Sequence, residues 1–432
     1  DATESEDIGS GEVLEETIES ETVPEDARIS ETISDELAEG SQDEYPADEE
    51  ELLDTEDAPE STTEELLPTE EEGETESESE PAGFYQELQE SEEPENIYDE
   101  IILESSVEET DGLAATVDLI TSGDCGENLT WQLTQDGVLN ISGTGDMYDY
   151  GFWDNSSPWY DVCSSIVSVN ISEGVTSIGD RAFYCCSSLT SFTIPEGVTS
   201  IGDGAFSYCD NLTGITIPEG VVSIGNYAFS DCTGLTSITI SEGITSIGDG
   251  AFSDCTGLTS ITIPAGVTSI GYEAFYRCSS LTDITIPESV TSIGVGAFSY
   301  CSNLASITIP AGVTSISIEV FYGCSSLTNI TIPTSVTSIE GYAFYGCSRL
   351  TGITIPASVI RIGEHVFEGC DNLTGITIPI SVNSIDKHAF SGCSSLTDIT
   401  IPTSVIGIGE YAFNGCSSLT SITIPEGVTS IG

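Results

Sequence analysis

From Cys163 to the end of the chain, one hydrophobic and polar pattern recurs without insertion or deletion. Residues 255–277, CTGLTSITIPAGVTSIGYEAFYR, display it in full. Leu258 is followed by Ile261 and Ile263 with Ser/Thr between them, the alternation of a strand with one face turned inward. Pro264 ends that strand because it has no N–H to donate. Gly266 turns the chain, and Val267-x-x-Ile270 supplies a second short extended segment. Gly-x-x-Ala-Phe, residues 271–275, predicts a helical or 3-10 turn that drops Phe275 into the interior. Cysteines stand at the evenly spaced positions 163, 186, 209, 232, 255, 278, 301, 324, 347, 370, 393 and 416. That makes eleven full units and a twelfth that stops at Gly432.

A fixed period in this range signals a solenoid, whose units are too small to fold alone and bury their core against their neighbours. The pattern therefore predicts a β-rich repeat solenoid of about twelve units over residues 163–432, the last truncated. Its interior is predicted to hold Ile194, Ile201, Phe206 and Cys209 in one stretch and Ile263, Ile270, Phe275 and Cys278 in another. Residues 116–162 break the period and contain all three Trp of the chain, at 131, 153 and 159. Trp131-x-Leu133 and Leu139-x-Ile141 alternate around Gln135-Asp136-Gly137, a hairpin signal. This segment is expected to cap the apolar end of the first unit, with an aromatic carbohydrate-binding patch at Trp153 and Trp159 as the alternative. No comparable cap is visible at the other end, so the chain is expected to be a fragment or to continue.

Charge divides the chain in two. Of 75 acidic residues, 46 fall within residues 1–120, where Arg28 is the only base. Residues 1–115 lack any sustained period, and their charge and scarcity of aromatics predict a disordered acidic tail. The other 29 acids and 5 bases leave the remainder near −24. A net charge of −69 excludes nucleic acid as a partner, because phosphates would be repelled from almost every face. No apolar run approaches the ~18–20 residues of a membrane span, so no membrane insertion is expected. The chain begins at Asp1, and a signal peptide is taken to have been removed.

The motif L-x-x-I-x-I-P-x-x-V-x-x-I-G-x-x-A-F-x-x-C resembles the 23-residue leucine-rich repeat of BspA-like bacterial cell-surface proteins. The resemblance covers residues 163–432. Departures are mild: Ser172 and Ser241 replace Pro, Ser317 and Glu340 replace Gly, and Val320 and Val366 replace Ala. The resemblance implies a secreted or surface-displayed binding or adhesion protein with extracellular protein or glycan partners. A targeting module of a larger exported enzyme and a structural surface-layer component are the competing readings.

The residues themselves show no active site. Neither a phosphate-binding Gly-rich loop nor a Gly-x-Ser-x-Gly elbow is present. The only histidines, His365 and His388, occupy equivalent positions beside Glu364 and Lys387. Two imidazoles without a fixed carboxylate fall short of a zinc set, so they read as exposed turn residues, and neither metal nor cofactor is expected. The cysteine row reads as buried free thiols packed like small hydrophobes. Cys125 and Cys185 are off the period and have no evident partner. The expected binding surface is the row of outward threonines Thr193, Thr216, Thr239, Thr262, Thr285, Thr308 and Thr331. On the turn side, Tyr184, Tyr208, Tyr276, Tyr300, Tyr322 and Tyr345 form an alternative patch, read mainly as packing over neighbouring turns.

Overall fold

The computed structural model describes residues 119–152 and 155–432. The expected acidic tail and Trp153 lie outside these described residues. Three strands, β1 (Leu119–Gly126), β2 (Leu129–Thr134) and β3 (Val138–Gly143), form an antiparallel meander. The β2–β3 turn has Gly137 at φ 79°, a conformation that favours glycine. Strand β1 was not evident in the sequence, which signalled only the β2–β3 hairpin. Two short strands then connect this segment to the repeats. Strand β3 pairs in parallel with β5 (Ser168–Ile171), and β4 (Gly145–Asp146) pairs with β6 (Val175–Ile178). The non-repeating segment thus supplies the first strand to each of the two ladders that the solenoid extends.

Within the repeats each of the first eleven units contributes two strands, such as Ser260–Thr262 and Ser269–Ile270, and the truncated last unit contributes one, Ser430–Ile431. Most pair in parallel with their equivalents in the next unit, as Ile261 with Ile284 and Ile270 with Ile293, in two ladders broken into shorter sheets along the solenoid. A third ladder runs along the Gly-x-x-Ala-Phe segments. The Phe amide donates to the carbonyl of the residue before Phe in the next unit, at 2.8–3.0 Å from Phe183 through Phe390. These segments are chains of turns with bonds from residue i to i−3, as from Cys278 N to Phe275 O at 3.2 Å. They are interrupted twice per unit by residues with left-handed φ. One such position holds Gly204, Tyr227, Gly250, Glu273 and their equivalents; the other holds Asp254, Arg277, Tyr300 and, from 323 onward, glycine. A left-handed non-glycine residue costs about 1–2 kcal/mol. Inter-unit hydrogen bonding and packing must offset that cost in each turn.

The core is one continuous column. Ile194, Ile201, Phe206, Cys209, Ile263, Ile270, Phe275 and Cys278 are all buried. Phe rings from Phe183 to Phe413 stack on one another, with centroids 5.2–5.9 Å apart. Trp159 begins the column, stacked 5.8 Å from Phe183 and fully buried. Its indole N–H donates to the Ala182 carbonyl at 2.7 Å. In later units that carbonyl accepts from a Phe amide, so Trp159 closes the third ladder as well as the core. Burial also removes Trp159 from any carbohydrate-binding patch. At the opposite end, Ile422, Ile424 and Ile431 are exposed.

The cysteine row has a role beyond filling space. From Cys209 to Cys416, each Sγ lies 3.0–3.3 Å from the carbonyl of the Phe 26 residues earlier. Phe275 O accepts the Cys278 amide within its own turn and the Cys301 thiol from the next unit, which fills both lone pairs. Asp and Asn side chains make a parallel device, which from Asp180 onward sits one step before the left-handed residue. Asp149, Asp180, Asp203, Asn226 and Asp249 each accept the backbone N–H of the following unit at 2.7–3.0 Å. Neutral Asn226 interrupts a row that would otherwise stack like charges.

Two measurements check this packing. Burial pushes the thiols of Cys232 and Cys324 up to about 12, and those of Cys209, Cys255 and Cys301 well above the ordinary range. Brief alkylation of the native protein is expected to label at most Cys163, Cys185 and Cys416, the partly exposed thiols, whereas denaturation releases all fourteen. Mass spectrometry of the adducts decides between these outcomes. Burial likewise raises the carboxyls of Asp180, Asp254, Glu273 and Glu319. The folded chain therefore binds more protons than the unfolded chain in that range. This contribution is complete below the ordinary carboxylate values of about 4 and is lost as pH rises through the raised ones. Asp146, lowered by its hydrogen bonds from Thr176 and Ser177, acts in the opposite sense. The net expectation is a higher melting temperature at about pH 5 than at pH 7, read by circular dichroism.

Candidate binding face

The first strand of each unit points Ile-x-Ile inward, which turns the intervening Thr outward. Thr193, Thr216, Thr239, Thr262, Thr285, Thr308 and Thr331 are all exposed, while the Ile residues on either side of Thr216 through Thr331 are buried. Beside Thr193 the neighbours are Phe192 and Ile194, also buried. The repeat register sets these threonines directly opposite one another, as in Thr216 with Thr239, Thr262 with Thr285, and Thr308 with Thr331. Thr354, Thr377 and Thr400 continue the rank. At about 4.8 Å per strand, seven such residues span about 30 Å. Two residues before each Thr stands a second outward rank: Ser191, Gly214, Ser237, Ser260, Asp283, Ser306 and Asn329. Asp283 is the single charge in that stretch of the second rank. Hydroxyls and small groups dominate the face.

A distinction hidden in the sequence separates this rank from other threonines. Thr213, Thr236, Thr259 and Thr282, three residues before the outward rank, donate their hydroxyls to the carbonyl of the preceding unit at 2.9–3.5 Å. Thr199, Thr268, Thr291 and Thr337 beside the second strand do the same. Those hydroxyls are already committed to the solenoid. Among the described residues, the hydroxyls of the outward rank from Thr193 to Thr331 have no partner within the chain, so their donors and acceptors face solvent. Composition alone makes all these threonines look alike.

The tyrosines pack mainly on one another. Tyr184 meets Tyr208 edge-on at 5.6 Å, Tyr276 meets Tyr300 at 5.8 Å, and Tyr322 stacks on Tyr345 at 4.6 Å. Arg277 lies over Tyr276, 5.0 Å from the ring centre. Tyr208 and Tyr300 retain roughly 40% exposure, so this side is a ring-lined ridge with restricted edges. The two histidines differ from their expected role as exposed turn residues. Their side chains are largely covered, at 15% and 28% exposure, and their rings stack on each other at 4.5 Å. Glu364 pairs with Lys387 at 3.0 Å instead, and it is Glu368 that reaches the imidazoles. Sequence inspection missed Glu368, although its spacing of three from His365 on a turn was a usable signal. Cys125 is buried and Cys185 is partly exposed; both are free thiols.

Comparison with known proteins identifies the repeat. The profile of the BspA type leucine rich repeat region matches six times, over residues 156–281, 222–351 and 337–432. Similar solved structures include a leucine-rich repeat protein from Bacteroides ovatus, 28% identical, with a TM-score of 0.49, covering 68% of this chain and 92% of that one. A leucine rich cell surface protein from Faecalibacterium prausnitzii is 31% identical, with a TM-score of 0.44, covering 72% of this chain and 94% of its own. A leucine-rich repeat protein from Eubacterium ventriosum is 29% identical, with a TM-score of 0.45, covering 72% and 93% respectively. No curated protein matches the sequence.

Proposed function

This chain belongs to the BspA-type leucine-rich-repeat family, and we propose that it is a secreted or surface-displayed, non-catalytic binding and adhesion protein. The family supports a repeat scaffold used for binding. The observation that carries the more specific reading is the in-register rank of exposed threonines whose hydroxyls are unspent. A rigid row of donors and acceptors at strand spacing suits an extended, weakly charged partner, either a peptide segment or a glycan chain. Such a partner exchanges water for hydroxyl bonds along its length, each worth about 0.5–1.5 kcal/mol net. Contacts at several successive units would sum to useful affinity with no deep pocket. The surrounding negative charge disfavours anionic partners. No helix among the described residues is long and apolar enough to cross a membrane.

The test is a binding screen of the full chain against extracellular-matrix proteins and glycans, followed by substitution on the partner found. The combined change Thr239→Ala, Thr262→Ala and Thr285→Ala is expected to weaken binding about tenfold or more while leaving the melting temperature within a few degrees. Tyr300→Ala with Tyr322→Ala is expected to keep the affinity. Binding that survives the threonine changes but is lost with the tyrosines would move the site to the turn side and overturn the assignment.

A further inference from the structure

The two histidines of the chain occupy equivalent positions in successive units, and the solenoid register stacks them. Both lie at the left-handed position of their turns, with φ of 57° and 55°. Their rings are nearly parallel, inclined by 9°, and the pair is enclosed between Tyr342, 4.5 Å from His365, and Tyr411, 5.1 Å from His388. Glu368 approaches both imidazoles. One carboxylate oxygen, Oε2, is hydrogen-bonded to His365 Nδ1 and lies 3.9 Å from His388 Nδ1. The latter distance is too long for a hydrogen bond. His388 Nδ1 is consequently buried without any partner. The other oxygen, Oε1, accepts from Ser391 Oγ at 3.3 Å, which holds the carboxylate in place.

We propose that His365, Glu368 and His388 bind one divalent transition ion of the zinc class, clamped across two adjacent units. The ligand atoms of all three lie within 4.8 Å of one another. Donors around an ion at ~2.0–2.2 Å sit about 3–3.5 Å apart, so the set has to contract only modestly. An ion lying in both ring planes requires the imidazoles to splay from their parallel stack. They do so about χ2, a broad torsion for histidine. The ion replaces the proton shared by His365 and Glu368, which passes to solvent, and it gives His388 Nδ1 the partner it lacks. Two nitrogens and one carboxylate oxygen select zinc, nickel or cobalt over calcium and magnesium, which take oxygen ligands. Water completes the coordination, because the three side chains retain 15–28% exposure. The neighbouring Lys387 is engaged by Glu364 at 3.0 Å. His365 and Glu368 belong to one unit and His388 to the next, so the bound ion staples one turn of the solenoid to its neighbour.

The full chain is titrated with Zn2+ in the presence of excess Mg2+, which occupies the acidic surface. One Zn2+ per chain and a raised melting temperature are expected. Glu368→Gln and His388→Asn are each expected to weaken binding at least tenfold, with the unloaded proteins melting near the parent. Because the chain contains only these two histidines, any imidazole ligation seen on Co2+ substitution reports this site. Failure to bind one equivalent, binding unchanged in the His365→Asn, His388→Asn double variant, or thiolate-to-Co2+ charge-transfer bands would each overturn the proposal.

Discussion

The structure depends on a single register. Units pair at one constant interval through two strand ladders, each broken into shorter sheets, and a third ladder runs along the turns. The third ladder is the demanding one. It requires two left-handed residues per turn and a Phe carbonyl that accepts both an amide and a thiol. The energy that sustains this geometry comes from stacking the large buried side chains, above all Phe, against their equivalents. No unit owns its core; each half of a contact lies in a neighbour.

A register shared by core and surface has consequences outside the core. Whatever type occupies one position stacks on its own kind along the solenoid. Phenylalanines become a column, cysteines a row of carbonyl donors, threonines a rank of open hydroxyls, and the two histidines a pair. The same rule sets like charges together, which the acidic Asp149–Asp249 series moderates by spending its carboxylates on backbone N–H groups and by placing neutral Asn226 within the row. Surface chemistry on this scaffold is therefore written in lines.

Much of this was legible in the sequence. The cysteine interval, the Ile-x-Ile-Pro strand and the recurring Phe define unit boundaries, inward faces and the threonine rank, because strand alternation leaves no freedom about which side is buried. Four features were not legible, each for a physical reason. Left-handed turn positions carry residues such as Arg181, Tyr227, Glu273 and His365 more often than glycine, so the residue type does not announce the conformation. Free and committed threonines differ only in whether the hydroxyl reaches a carbonyl of the preceding unit, a matter of distance. Glu368 joins the histidines by wrapping around a turn, while the sequence neighbours Glu364 and Lys387 pair with each other across units. The indole of Trp159 in place of a backbone donor is likewise a spatial substitution, offset by one residue from the repeat.

Hydrogen exchange of the Phe298→Ala variant tests the central claim most directly, because it removes one ring from the column without touching the backbone ladders. Truncating a buried Phe costs about 3–5 kcal/mol. If coupling between neighbours holds the solenoid together, the amides of Phe275 and Phe298 and their surrounding turns lose protection, and the loss fades over the adjoining units. Unchanged protection around Phe298, or an equal loss in every unit from Cys186 to Cys393, would contradict an account built on stacking between neighbouring turns.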